Sequence, residues 1–163
     1  MWLLCILAAV FYGILHDQVT ARVCVEYFTI GHPLVFNTTS PTLLALGWGV
    51  IATWWMGAVL GLILALAARL GGPPRLNAND LIKPVLGLLV VMAISALGAG
   101  VIGYFLARSG KVSLDDLDQV LARPTAIRFI ADFYAHSASY GVGLFGGLLL
   151  CAWSLRKRWA GRS

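Results

Sequence analysis

The hydrophobic residues of this chain fall into four long stretches separated by short polar segments. A helix rises about 1.5 Å per residue, so about 20 mostly apolar residues are needed to cross the roughly 30 Å hydrocarbon core of a bilayer. The four stretches approach or meet that length, and they lie at residues 2–24, 41–70, 81–107 and 126–153. The pattern predicts an all-α integral membrane protein, folded as a four-helix transmembrane bundle with up-down topology.

Helix-capping residues indicate where these spans begin. Ser40 is suited to cap the second span, with Pro41 at the first helical position, where a missing N–H costs nothing. Asn79 or Asp80 is expected to cap the third span, and Thr125 the fourth.

A short helix outside the membrane is predicted before the last span. Ser113 and the acidic residues after it have the spacing of a capping box. We expect this helix to run to about Ala122 and to end before Pro124. No sequence remains for a soluble domain, so residues 1–163 are interpreted as one transmembrane domain.

Composition agrees with the membrane interpretation. Hydrophobic residues make up 60% of the 163 positions, and charged residues only 12%. The first stretch begins at residue 1 without a basic segment before it, so we expect a retained span rather than a cleaved signal peptide. The net charge is +5, but the basic residues do not form a face on which basic and aromatic residues alternate. Nucleic acid is therefore not an expected partner.

Basic residues are distributed unequally between the two sides of the predicted bundle. One side carries Arg69, Arg75, Lys83, Arg156, Lys157, Arg158 and Arg162, and the other carries Arg22, Arg108, Lys111, Arg123 and Arg128. Because Lys and Arg are enriched in cytoplasmic segments, the excess predicts that both termini are cytoplasmic. We expect the bacterial inner membrane as the location.

Ionisable residues at the other, outer ends of the spans form the candidate site. All three histidines lie there together with three carboxylates: His16, His32, His136, Asp17, Glu26 and Asp132. Such groups are costly to keep at the edge of hydrocarbon, so their grouping indicates a functional site. Counting residues along the first and last spans places His16 and His136 at a similar depth.

The residue types predict a divalent metal site. Asp132 and His136 are four residues apart and share one helical face, a spacing that suits chelation. The segment after the first span is short enough to bring Glu26 and His32 back over the bundle. We expect His16, His32, Asp132 and His136 to bind Zn, Fe or Mn, with Asp17 or Glu26 as general base in a metal-dependent hydrolase or oxidoreductase.

Three other interpretations remain open. His16 and His136 are also suited to hold haem b as axial ligands. The chain is alternatively a non-catalytic accessory subunit of a larger membrane complex. Finally, the carboxylates have possible structural partners, because Asp132 is at helical spacing from Arg128 and Asp17 lies near Arg22.

Small residues recur at the spacing that lets membrane helices approach closely. The pattern is found in Gly57 and Gly61, in Gly143 and Gly147, and in Ser95, Ala99 and Gly103. We expect these faces to pack within the bundle, or against other membrane subunits or a second copy of the chain. Membrane lipid is the remaining expected partner.

Overall fold

The computed structural model describes residues 1–161, and it is helical without strands over that range. Arg162, counted above among the basic residues, lies outside the described residues. In chain order the helices are α1 (Trp2–Val23), α2 (Val25–Thr29), α3 (Pro41–Ile51), α4 (Trp54–Arg69), α5 (Ala78–Arg108), α6 (Asp115–Asp118) and α7 (Arg123–Ala160).

The four predicted stretches are confirmed as helices long and apolar enough to cross a membrane. They are α1, the pair α3 and α4 over Pro41–Arg69, α5, and α7. Their outward faces are strongly apolar: Leu97 on α5 and Leu149 on α7 are both 70% exposed. Exposed apolar surface on this scale is unfavourable in water and favourable in hydrocarbon.

The second span is interrupted near its middle, where the sequence predicted one continuous helix. α3 ends at Ile51, α4 begins at Trp54, and the Thr53 hydroxyl donates to the Gly49 carbonyl at 2.5 Å. A threonine that bonds back to a carbonyl four residues earlier bends a helix. The break lies beside the candidate site, because Thr53 lines the same cavity as the histidines.

Helix starts agree with the capping signals in one case and differ in two. Ser40 caps α3 with Pro41 at its start, as predicted. The cap of α5 is Asn77, which forms a capping box with Asp80, so the expectation of Asn79 or Asp80 as cap was wrong by two or three residues. α7 begins at Arg123 rather than after Thr125, since a proline is tolerated in a first helical turn.

The short helix before α7 is present but shorter than predicted. α6 covers only Asp115–Asp118, and the helix does not continue to Ala122. The Ser113 hydroxyl donates to the Asp115 carboxylate at 2.7 Å, which is a local turn rather than the predicted capping box.

Small residues bring the long helices close together. α1 packs mainly against α3 and α4, and α5 packs along α7. α4 also contacts α7, and this contact joins the two groups of helices. The predicted small-residue faces are used inside the chain: Gly57 and Gly61 pack on α1, and Gly143 and Gly147 lie against side chains of α5 and α4. Other subunits as partners stay a prediction.

A buried arginine ties the end of α7 to the end of α4 and to the loop that follows α4. Arg158, near the end of α7, is 2% exposed. Its guanidinium donates at 2.8 Å to each of three backbone carbonyls, those of Ala67, Gly72 and Pro74. The segment between α4 and α5 is thereby held against α7, in a role that the sequence analysis did not assign to this residue.

We expect Arg158→Ala to lower the stability of the folded protein by about 3 kcal/mol, because three buried carbonyls lose a charged donor. Thermal unfolding in detergent measures the change. Arg156→Ala, an exposed position on the same helix turn, is the matched control and should change stability by less than about 0.5 kcal/mol. Equal effects of the two substitutions would contradict the structural role of Arg158.

The contact between α1 and α3 makes a second prediction. A Cβ at Gly49 would lie 2.6 Å from the backbone N and Cα of Ile14, whereas a Cβ at Gly98 meets nothing within 4 Å. Gly49→Ala should therefore destabilise the protein by about 1–3 kcal/mol through overpacking. Gly98→Ala should be neutral or stabilising by up to about 1 kcal/mol, since alanine favours helix. Thermal unfolding compares the two, and an unchanged Gly49→Ala protein would rule out the close approach.

Candidate metal centre

α1 and α7 bring two histidines and one carboxylate together inside the bundle. His16 and Asp17 are consecutive on α1, and His136 is on α7. Each of the three offers a ligand atom, and these atoms lie within 4.8 Å of one another. The rings of His16 and His136 meet edge to face with their centroids 4.5 Å apart. Residues far apart in the sequence thus form one polar cluster.

The hydrogen bonds of His136 orient its ring toward that cluster. Its Nδ1 lies 2.8 Å from the backbone carbonyl oxygen of Asp132, and its Nε2 lies 3.3 Å from Oδ1 of Asp17. A carbonyl oxygen only accepts, so Nδ1 carries the proton. In the neutral ring Nε2 is then a lone pair facing a carboxyl oxygen, an arrangement that requires a proton on one of the two groups or a metal ion between them.

His16 supplies a nitrogen without a partner. Its Nε2 is buried and makes no hydrogen bond among the described residues. The ring is stacked on Tyr12, one turn earlier on α1, at a centroid distance of 5.7 Å. The Tyr12 hydroxyl in turn accepts a hydrogen bond of 2.9 Å from Ser139 on α7. The imidazole is therefore held by packing while one ring nitrogen stays available to a ligand.

His32 reaches the same cavity from the loop after α2. Its Nδ1 lies 2.9 Å from the backbone carbonyl oxygen of Tyr27. As in His136, Nδ1 is therefore the donor, and Nε2 is the acceptor nitrogen of the neutral ring. The ring is stacked on Phe28 and tilted against Trp48. His32 is outside the group of three that offers ligand atoms within 4.8 Å.

The histidines and Asp17 line a cavity of about 60 Å³. A single water needs roughly 10–15 Å³ on this scale, so the space suits an ion with a few water molecules. α2 packs over the cluster, with the Tyr27 ring stacked on His136 at 4.5 Å and Phe28 against its edge. Burial raises the pKa of Tyr27 above its usual range, so its phenol stays protonated at neutral pH.

The two remaining predicted residues are placed elsewhere. The side chain of Asp132 does not line the cavity; it lies along a separate groove, and its Oδ2 is buried without a hydrogen-bond partner. Glu26 is half-buried and accepts a hydrogen bond of 3.4 Å from the Cys24 thiol. As metal ligand and general base respectively, Asp132 and Glu26 stay predictions.

Ion pairing with arginine does not explain the buried carboxylates. Within residues 1–161, the side chain of Arg22 donates to Gln18 and Thr42, and that of Arg128 donates to Thr125. The salt bridges in this part of the chain are Arg123 with Asp118 and His136 with Asp17. The structural alternative of Asp–Arg pairs at helical spacing was therefore wrong.

Sequence reasoning missed the hydrogen bond between Tyr12 and Ser139. Tyr12 precedes His16 by four residues and Ser139 follows His136 by three, so both lie on the faces that carry the histidines. That spacing was a usable signal for the Tyr12–Ser139 hydrogen bond. The stacking of α2 on His136 had no such signal, because the short helix has no long-range pattern of its own.

Comparisons with protein-family models, with curated proteins and with solved structures find no match for this chain.

Proposed function

We propose that this chain is an integral membrane protein that binds a divalent transition-metal ion through His16, Asp17 and His136. The observation that carries the proposal is the convergence of their ligand atoms within 4.8 Å. In a bundle with apolar outward faces a buried polar atom needs a partner: His136 and Asp17 have each other, His16 Nε2 has none among the described residues, and one ion would bind all three.

The spacing of the ligand atoms in the cluster suits an ion the size of zinc. Two ligands that each lie about 2.0 Å from zinc at a tetrahedral angle are about 3.3 Å apart. His136 Nε2 and Asp17 Oδ1 are separated by 3.3 Å, so this pair is already at ligand spacing. The Asp132 carbonyl fixes the tautomer of His136, as the outer hydrogen bonds of metal-binding histidines do.

Two histidines and one carboxylate indicate a reactive site rather than a structural one. Structural zinc sites are closed by four protein ligands, whereas catalytic zinc and mononuclear non-haem iron use this set of three and leave positions for water or substrate. An ion held in this way supplies a water of lowered pKa or polarises a bound oxygen. We propose hydrolysis for zinc or manganese, and an oxidoreductase reaction for iron.

The contact between the histidine rings bears on the haem interpretation. His16 and His136 meet edge to face with centroids 4.5 Å apart. A porphyrin bound by two axial histidines has to lie between their rings, and this contact leaves it no space. The geometry therefore supports a small ion over a macrocycle.

The proposed location is a bacterial inner membrane with both termini cytoplasmic. Support comes from the contact of Arg158 with the segment between α4 and α5, which brings the two basic regions to one end of the molecule. Basic residues gathered at one end favour the cytoplasmic side. The candidate metal site would then lie toward the outer face.

Metal analysis of detergent-purified protein tests the proposal. After chelation and reloading with Zn²⁺, Fe²⁺ or Mn²⁺, we expect about one ion per chain for one of the metals. His136→Gln and Asp17→Asn should weaken binding by more than about 100-fold, because each removes a ligand. Ser137→Ala, next to His136 on the exposed side of α7, is the control and should bind as the unchanged protein does.

Asp132→Ala separates this ligand set from the one predicted by sequence. The proposed set retains its ion in that variant, whereas loss of the ion would place Asp132 among the ligands. Unfolding temperatures of the metal-free variants show whether any loss reflects misfolding. If none of the three metals binds folded protein, the chain is better interpreted as an accessory subunit of a membrane complex.

A further inference from the structure

A second, larger cavity lies next to the candidate metal centre. This groove, of about 470 Å³, runs between α1, α5 and α7. Its walls are almost entirely apolar, with Val19, Leu97, Val101 and Phe105 among them, and its polar lining includes His16 and Asp132. A concave apolar site of this size with a few polar groups is the usual form of a binding site for one small molecule.

Asp132 gives the groove an unsatisfied hydrogen-bond acceptor. The residue is 2% exposed, and its Oδ2 has no partner among the described residues. Burying a carboxylate oxygen without a donor is costly, and a ligand that donates a hydrogen bond removes that cost. The polar end of a bound molecule therefore belongs beside Asp132.

The groove also meets the metal centre. Tyr12 and His16 line both the groove and the smaller cavity that holds Asp17 and His136. Asp132 is linked to that centre by its backbone carbonyl, which lies 2.8 Å from His136 Nδ1, and the His136 ring contacts His16, so a polar end at Asp132 lies near the two histidines. The same end that is bound by Asp132 is thus close to the proposed ion.

The open side of the groove faces outward. Leu97 and Phe105 on its α5 wall are 70% and 59% exposed, on a helix long and apolar enough to cross a membrane. In a membrane that face meets acyl chains, not water. The rest of the bound molecule is therefore expected to be a hydrocarbon chain that enters sideways from the bilayer.

We propose that the groove binds a single-chain lipid whose head donates a hydrogen bond to Asp132, either a long-chain alcohol or a long-chain amine. Because the head then lies beside His16, this class is also the substrate class of the metal centre, and that second part rests on the proposed function. A fatty-acid anion is disfavoured, since its carboxylate would face Asp132 and have no hydrogen to donate.

Photo-labelling in nanodiscs tests the proposal with a defined probe. The probe is dodecanol with a diazirine in the middle of its chain, and labelled positions are mapped by mass spectrometry. We expect labelling concentrated on residues 97–105 of α5, competed by dodecanol and by dodecylamine but not by dodecanoate. The stronger of the two competitors identifies the head as alcohol or amine.

Matched variants separate the groove from general contact with lipid. Leu97→Trp fills the groove and should reduce labelling at least about fivefold, because the chain loses its space. Ile94→Trp, one turn earlier, is 66% exposed and lies outside the groove, so labelling should be unchanged. Asp132→Ala should weaken competition by dodecanol and dodecylamine about tenfold through the lost hydrogen bond.

Labelling spread evenly over all four spans, or equal effects of the two tryptophans, would overturn the proposal. Equal competition by dodecanoate would overturn the role of Asp132. Metal content is measured on the same samples, with and without chelation. Groove labelling that persists in protein unable to bind metal would support the lipid site while removing the metal centre, so the two failures are distinguishable.

Discussion

Buried polar groups in an apolar bundle can be satisfied only by one another or by what they bind, and this constraint organises the site end of the molecule. Asp17 on α1 and His136 on α7 are both buried, and they face each other. Neither helix can rotate about its axis without losing this contact and turning its polar group toward the apolar outer face of the bundle. The contact thus sets how α1 and α7 are turned toward each other.

The other end of the molecule is held by different means. There Arg158 satisfies three backbone carbonyls that no helix supplies with donors, and the surrounding core consists of closely packed apolar residues such as Leu81 and Cys151. One end is therefore built from packing and a buried cation that makes three hydrogen bonds. At the site end, the ring nitrogen His16 Nε2 and the carboxylate oxygen Asp132 Oδ2 have no partner among the described residues, whereas near Arg158 the atom in that position is the hydroxyl oxygen of Ser154. An unpaired hydroxyl costs less than an unpaired carboxylate, so the site end has the stronger need for a ligand.

The spans and the depth of the histidines were predictable because helix rise per residue is constant. Counting residues along α1 and α7 was enough to place His16 and His136 at the same level, and the structure brings their rings into contact. The direction in which each side chain points was harder to predict from the sequence. Asp132 is one turn from His136, yet it lines the groove and not the smaller cavity, and its backbone carbonyl bonds His136, a distinction that residue spacing does not contain.

Other features escaped prediction because single side-chain hydrogen bonds decide them, some within one helical turn and some between distant parts of the chain. The break at Thr53 arises from one side chain bonding back to Gly49, and the cap of α5 depends on which of three neighbouring polar residues the preceding loop presents. The sequence identified Arg158 only as one of several basic residues near the C-terminus. Its partners lie at the end of α4 and in the loop after it, roughly half the chain length away, and a charge count does not distinguish a buried guanidinium from an exposed one.

The outward opening of the groove on α5 has a consequence for how a reactant would be supplied. If the chain spans a membrane as proposed, a molecule reaching Asp132 by that route comes from the bilayer, and its effective concentration is set by partition into the membrane and not by solubility in water. Longer alkyl tails raise local abundance even when the polar end is unchanged. Discrimination among such molecules would then depend on the functional group they carry, while tail length governs mainly how often they arrive.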